Sequence, residues 1–316
     1  MKPYTIAIAG TTHRTVLCAE ALQKDARFTI PWILTPTPKP VGRKKVITPS
    51  PLHSFGEDND IPVVIVENKI TPELLQEVQS FGEIDFLLVV DFGYIVPRSL
   101  LVLPSIAPLN IHPSKLPDWR GSSPGQFALL YGQTQSAITL MHMNSLLDQG
   151  PIISQRAFVI EQSWNAEDYY HHAFSLLAPQ LADLIIEYAR TREESKQPFE
   201  PTTKIAHRIQ KNDSFIPWEN IKSSLGGENP PSLSELSPLL RDAQAAHPHF
   251  ASLVVAATKA FTPWPHVWTL ITTSQGKKRM QIHDANLDGN KLVLSTVQIE
   301  GQSSAQFNQV KNTILD

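Results

Sequence analysis

At 316 residues the chain is long for one hydrophobic core and comfortable for two domains. Its formal net charge of -3 excludes a global pull toward nucleic acid, so any RNA contact must come from a local basic patch. A single cysteine excludes an internal disulfide, and no apolar run reaches the length of a membrane span. The N-terminus opens on a strand pattern, without a charged segment leading into an apolar core and cleavage site, so the cytoplasm is the expected compartment.

Tyr4–Ala9 is a short apolar run closed by Gly10, where a tight turn is expected. A helix is predicted over Val16–Leu22, with Cys18 as a buried small apolar side chain. Phe28–Leu34, Val63–Val66, Asp85–Val90 and Ala107–Ile111 read as strands, with a helix near Pro72–Ser80. Strands interleaved with helices predict an α/β fold with a doubly wound, mostly parallel sheet. The full Gly-x-Gly-x-x-Gly pattern does not follow the first strand, which argues against a dinucleotide site and a nicotinamide oxidoreductase.

Ala137–Met143 is strand-like. The clearest helix is Ala166–Arg190, with Asn165 as N-cap and Asp168 at the third helical position. Tyr170, Ala173, Phe174, Leu177, Leu181, Leu184, Ile185 and Tyr188 recur along it at helical spacing, and its polar end then meets Pro198 and Pro201. This places a first domain over 1–191, a linker over 192–205 and a second domain over 206–316. Ser223–Ser237 is rich in Gly, Pro and Ser and reads as a loop. Val267–Thr272, Met280–Ala285 and Lys291–Glu300 read as strands with turns at Gln275-Gly276 and Asp288-Gly289, predicting a small β-barrel domain. Phe261–Trp268 reads as a packed aromatic corner in preference to a surface that stacks bases on Trp264 or Trp268.

Three polar residues carry the chemistry. Asn110 and His112 are two apart in an extended run that breaks at Pro113, so their side chains emerge on one face where a strand ends. Open α/β sheets place ligands at that edge. Asp148 lies in a second break, Met143–Gly150. A carboxamide can donate to a developing oxyanion, an imidazole can carry a proton, and a carboxylate can orient the imidazole. That set suits acyl or formyl transfer, though on the spacing alone three polar residues capping turns is the favoured reading. No cluster of His, Cys and carboxylates has ligand spacing, so no metal is expected. Lys39, Arg43, Lys44 and Lys45 form a basic run with no acid between them.

The stretch Asn110-Ile-His-Pro-Ser-Lys-Leu-Pro-Asp-Trp-Arg-Gly-Ser-Ser-Pro124, followed by Leu147-Asp-Gln-Gly150, resembles the signature of the formyltetrahydrofolate-dependent formyltransferases. The opening Ile6–Thr11, the basic Pro38–Lys45, Asp91–Pro97 and Ala260–Trp268 extend the resemblance over nearly the whole chain, and it is strongest to the members that formylate aminoacylated initiator tRNA. The resemblance implies a Rossmann-like catalytic domain and an open, OB-like C-terminal barrel that contacts tRNA. It implies Asn110, His112 and Asp148 as the catalytic trio and Ser114, Lys115, Leu116 and Pro117 as lining of the folate site. It further implies 10-formyltetrahydrofolate as donor, the α-amino group of a methionine on initiator tRNA as acceptor, and tRNA contact through Arg43, Lys44 and Lys45. A monomer without membrane association is expected. Lys115, Gln149, Asp91 and Thr12-His13-Arg14 depart from the family pattern. Rival readings are a sibling formyltransferase acting on a sugar-nucleotide or ribonucleotide amine, a formyltetrahydrofolate hydrolase, and a catalytically silent RNA-binding module.

Overall fold

The structure, a computed structural model, describes residues 2–42, 44–198 and 203–315. It forms two compact units that interleave along the chain: Met1–Arg120, Ala137–Phe158 and Tyr170–Lys204 make the first, and Gly121–Ser136, Val159–Tyr169 and Ile205–Asp316 the second.

In chain order the first unit contains β1 (Tyr4–Gly10), α1 (His13–Gln23), β2 (Phe28–Thr29), β3 (Ile33–Pro36), β4 (Lys39–Val41), β5 (Val46–Thr48), α2 (Pro51–Asp58), β6 (Val63–Val66), α3 (Pro72–Ser80), β7 (Phe86–Val90), α4 (Arg98–Leu101) and β8 (Ala107–His112). Beyond α5 (Pro124–Leu130), which lies in the second unit, come β9 (Gln135–His142), β10 (Ile152–Val159), α6 (Ala166–Leu177) and α7 (Leu181–Thr191). The main sheet has the order β10-β9-β8-β7-β1-β3-β6, with β2 also on β1. β1, β3, β6, β7 and β8 pair in parallel, while β8 and β9 run antiparallel. The middle strands are apolar almost throughout because helices cover both faces of such a sheet; every residue of β7 is buried. The chain leaves β1 toward β3 and β6 and then returns to β7 on its other side. Open α/β sheets bind ligands at such a reversal, which here falls at the carboxyl ends of β1 and β7, one strand from β8.

Local chemistry explains where the elements begin and end. Thr12 caps α1, its hydroxyl accepting from the Arg14 amide, so the helix starts three residues before the predicted Val16. The Phe28–Leu34 run splits at Pro31 into β2, paired with Tyr4 and Thr5, and β3, paired with Ile8 and Ala9. α2, unforeseen in the sequence, starts at Pro51 behind the Ser50 cap, whose hydroxyl accepts from the His53 amide. Asn165 and Asp168 form the expected capping box on α6. The single helix predicted over 166–190 is broken by one 3-10 turn at Ala178–Gln180, where Pro179 can neither donate nor continue the α-helix.

The second unit adds α8 (Trp218–Gly226), α9 (Pro238–Ala243), α10 (Phe250–Ala260), β11 (Val267–Thr273), β12 (Gly276–Asp288), β13 (Lys291–Ile299), β14 (Ala305–Gln306), α11 (Phe307–Val310) and β15 (Ile314–Leu315). Its antiparallel sheet, ordered β14-β13-β12-β11-β15, curls into an open half-barrel. α10 packs on β12 and on α5. The 223–237 stretch is not loop throughout: α8 runs to Gly226, and Gly227, at φ +85°, closes it in the left-handed region. Among the described residues no helix is long and apolar enough to cross a membrane.

Candidate active site

β8 carries Asn110 and His112 to the carboxyl edge of the sheet, with Asn110 opposite Val89 on β7 and Met141 on β9, and His112 opposite Thr139. The period-two expectation therefore holds: both side chains leave the same face of one strand. Asp148 reaches them from the loop after β9, its backbone at φ +49°. Its Oδ2 lies 3.7 Å from His112 Nδ1, so the structure brings His112 and Asp148 together. The imidazole is only 5% exposed, and its Nε2 lies 3.0 Å from the Trp119 carbonyl.

That contact selects a tautomer. A carbonyl oxygen can only accept, so Nε2 carries a hydrogen and donates. Nδ1 is then the basic nitrogen, facing the carboxylate at a distance longer than a hydrogen bond. The acceptor end of the Asn110 carboxamide is open: its Oδ1 is buried with no partner among the described residues. An unpaired buried amide end is costly in a resting protein and useful where a substrate supplies the partner.

The 143–150 loop has little freedom. A Cβ on Gly150 would lie 1.7 Å from the His142 carbonyl oxygen, so only glycine fits. The His142 amide donates to the Pro151 carbonyl at 2.9 Å. Three further residues, not singled out by the sequence, stand around the dyad: Trp119, Arg120 and Gln197. The Arg120 guanidinium, 2% exposed, donates through Nε to Gln197 Oε1 at 3.1 Å. Burial holds it below the usual arginine range, offset by the Asp148 charge. Trp119 and Arg120 stand inside the long motif, which could have flagged them; Gln197 lies in a featureless polar stretch.

Ser114–Pro117 forms a tight loop directly after β8. Ser114 is fully buried: its hydroxyl donates to the Asp118 carbonyl at 2.6 Å, and its own carbonyl accepts from Thr139 at 2.7 Å. Leu116 is buried, its carbonyl accepts from Gln155 at 2.8 Å, and the Leu116–Pro117 peptide is cis. Lys115 is exposed and Pro117 half-buried. Burial pushes the Asp118 carboxyl above the ordinary carboxylate range, with Lys115 opposing the rise.

Two departures from the family pattern turn out to be partners. The Asp91 carboxylate, at the end of β7, accepts from Arg14 Nε at 2.5 Å and from the Thr12 hydroxyl at 2.7 Å. The Arg14 guanidinium also lies over the Tyr170 ring, 4.5 Å from its centroid. The segment where β1 passes into α1 is thereby tied to the loop after β7. Cys18 is buried beneath them, and its thiol is pushed far above its ordinary range, first by burial and then by Asp91. It behaves as the apolar residue predicted, because only a thiolate reacts readily.

The basic stretch is an antiparallel hairpin of β4 and β5, with Lys39 opposite Thr48. Lys44 and Lys45 sit exposed at its turn, and Arg43 lies outside the described residues. Val41, Val46 and Ile47 are also exposed on it. In the second unit, Trp264 is 59% exposed, whereas Trp268 packs on Phe215 and donates to the Lys211 carbonyl. Among the described residues no three metal-ligating side chains converge.

Comparison with known proteins agrees with this geometry. Residues 4–176 match the formyl transferase family. The methionyl-tRNA formyltransferase of Methylacidiphilum infernorum is 29% identical over 281 residues, covering 88% of this chain and 77% of the relative. That of Bdellovibrio bacteriovorus is 30% identical over 229 residues, 72% of each chain. The solved methionyl-tRNA formyltransferase from Clostridium thermocellum superposes with a TM-score of 0.53 at 18% identity, covering 94% of this chain and 98% of that one, and so shares the fold. On the strength of these matches, the chain belongs to the formyl transferase family and groups there with the methionyl-tRNA formyltransferases.

Proposed function

We propose that the chain transfers the formyl group of 10-formyltetrahydrofolate to the α-amino group of methionine esterified to initiator tRNA. The observation that carries this reading is the Asn110 carboxamide, its Oδ1 without a partner among the described residues, on the same strand face as a His112–Asp148 dyad. The amine attacks the formyl carbonyl, and negative charge grows on its oxygen. Asn110 donates to that oxygen through Nδ2, and its partnerless Oδ1 is left to accept from an N–H of the incoming amine. The proton released by the nitrogen is taken at Nδ1 of His112, directly or through water, and the Asp148 carboxylate balances the imidazolium. The same proton is then returned to the departing folate nitrogen. Holding both reactants in one crevice supplies the rest, since proximity alone is worth about 7–11 kcal/mol in well-oriented cases. Lys115 and Pro117 offer the surface of the 114–117 loop to the folate, while Ser114 and Leu116 fix the loop's shape.

The relatives' names and the basic hairpin support this acceptor. Arg43, Lys44 and Lys45 are proposed to contact tRNA phosphates, with residues 206–316 adding further contacts and 1–191 holding the chemistry. The decisive experiment incubates the protein with labelled formyl donor and charged initiator tRNA, beside charged elongator tRNA and an amino-sugar nucleotide. Label on methionyl-tRNA supports the proposal. Label only on the sugar amine, or released only as formate, rejects it.

A further inference from the structure

Residues 192–205 read as a linker in the sequence, yet the described part of this segment grips the catalytic loop. Ser195 and Ile152 exchange two backbone hydrogen bonds, both of 2.8 Å, just beyond Gly150. Two residues on, the Gln197 amide donates to two carbonyls of the loop that carries the catalytic acid: Asp148 at 3.0 Å and Gly150 at 2.7 Å. Its oxygen accepts from Arg120 at 3.1 Å and 2.9 Å, and Arg120 also donates to the Pro198 carbonyl at 3.0 Å. The neighbouring Trp119 holds His112 Nε2 through its carbonyl, and its own amide donates to the Thr203 hydroxyl at 2.6 Å. One short piece of chain thus touches the supports of both the imidazole and the carboxylate.

From this we infer that Gln197 is a positioning residue for Asp148, aligned by Arg120. An amide nitrogen has two hydrogens, and here both are spent on carbonyls that flank the Asp148 side chain. Asp148 sits at φ +49°, in a left-handed conformation that an L-residue keeps only when its surroundings impose it. The two donated bonds add to the constraint that Gly150 and the His142–Pro151 bond place on this loop. Arg120 forces the orientation: its guanidinium can only donate, so Gln197 must present oxygen to it and nitrogen to the loop. The 3.7 Å separation of Asp148 from His112 therefore depends on a side chain 49 residues from the acid. The inference rests on the proposed roles of Asp148 and His112, and its test is arranged to separate the two.

Gln197→Ala removes the donors, and Gln197→Glu keeps an oxygen for Arg120 while removing both donated bonds. Each is expected to lower kcat for formyl transfer roughly tenfold to a hundredfold, with KM for donor and tRNA within about twofold. In an Asp148→Asn background, Gln197→Ala is expected to add no further loss, because the carboxylate it positions is already gone. A multiplicative loss in that background overturns the inference. A second arm needs no substrate: the ring-nitrogen signals of His112 at fixed pH are read by NMR in the unaltered protein, Asp148→Asn and Gln197→Ala. Signals displaced alike in the two variants support positioning, and signals unmoved by Gln197→Ala overturn it. Should the unaltered protein transfer no formyl group to methionyl-tRNA, the acceptor reading fails while the NMR arm still decides the role of Gln197.

Discussion

His112 gives one ring nitrogen to a carbonyl and turns the other toward a carboxylate, while two positions away the Asn110 carboxamide oxygen has no partner among the described residues. The division of labour has a kinetic signature. On the proposed mechanism Asn110→Ala removes a donor to charge that exists only in the transition state, and His112→Ala removes the proton carrier. Each should lower kcat about a hundredfold to a thousandfold, with folate affinity changed little. Steady-state kinetics with a direct folate-binding measurement checks this; equal losses in turnover and affinity would mean that these residues only shape the pocket. Asp118, at the far end of the same loop, behaves differently. Its folded-state value lies above the unfolded one because burial penalises the charged form. The penalty is absent below the ordinary carboxylate range and appears as pH rises through the raised value. Asp118→Asn should therefore stabilise the protein at neutral pH, and the gain should vanish on acidification toward about pH 4. Thermal melts across that range read the crossover, and a gain independent of pH would contradict the burial argument.

At the level of elements, legibility followed the reach of the forces involved. β1, β7, β8 and α3 could be read because each is a short apolar or amphipathic run bounded by turn residues or a cap. α10 escaped because it is buried on almost every face, so its apolar run carries no period to detect. β10 escaped for the opposite reason: Ser154, Gln155 and Arg156 give it no alternation. The Asn110–His112 pair on β8 was legible from a spacing of two, whereas Gln197 was not, since its partners stand 49 and 77 residues away. The β11–β12 packing also holds a testable pair. His266, just before β11, stacks on His283 of β12 with ring centroids 4.3 Å apart. Burial first, and then His283, lowers His266 from 6.5 to about 4. The unfolded chain takes up the proton first as pH falls, so this stability is present above 6.5 and lost toward about 4. With the ring half open to solvent, the loss is on the order of 1 kcal/mol. His266→Phe should flatten this part of the acid limb in a melting-temperature series, and an unchanged limb would place the sensitivity elsewhere.

On the scale of the molecule, charge sets a limit on how it can meet a polyanion. The chain carries -3 overall, so beyond about 8 Å, the screening length at physiological salt, it offers RNA no net attraction. Affinity must be concentrated where lysine and arginine cluster, and the β4–β5 hairpin is such a place: Lys44 and Lys45 stand exposed at its turn beside Val41, Val46 and Ile47. Phosphate contacts release counterions, so each one lost reduces the slope of log affinity against log salt by about 0.7–0.9. Replacing Arg43, Lys44 and Lys45 with alanine should weaken charged-tRNA binding and lower that slope by about 2 to 3, while leaving the KM for the formyl donor in place. A weaker complex with an unchanged slope would assign the hairpin's contribution to its apolar side chains. If neither affinity nor slope moved, the anion contacts would belong to other cations, with Lys277, Lys278 and Arg279 on β12 the next to neutralise. The outcome bears on the fold as well as on binding. Two short strands that bury little of their own surface have no packing reason to be there. A slope that falls on neutralising their turn would give the reason, which is to hold cations away from an otherwise acidic body where a phosphate backbone can reach them.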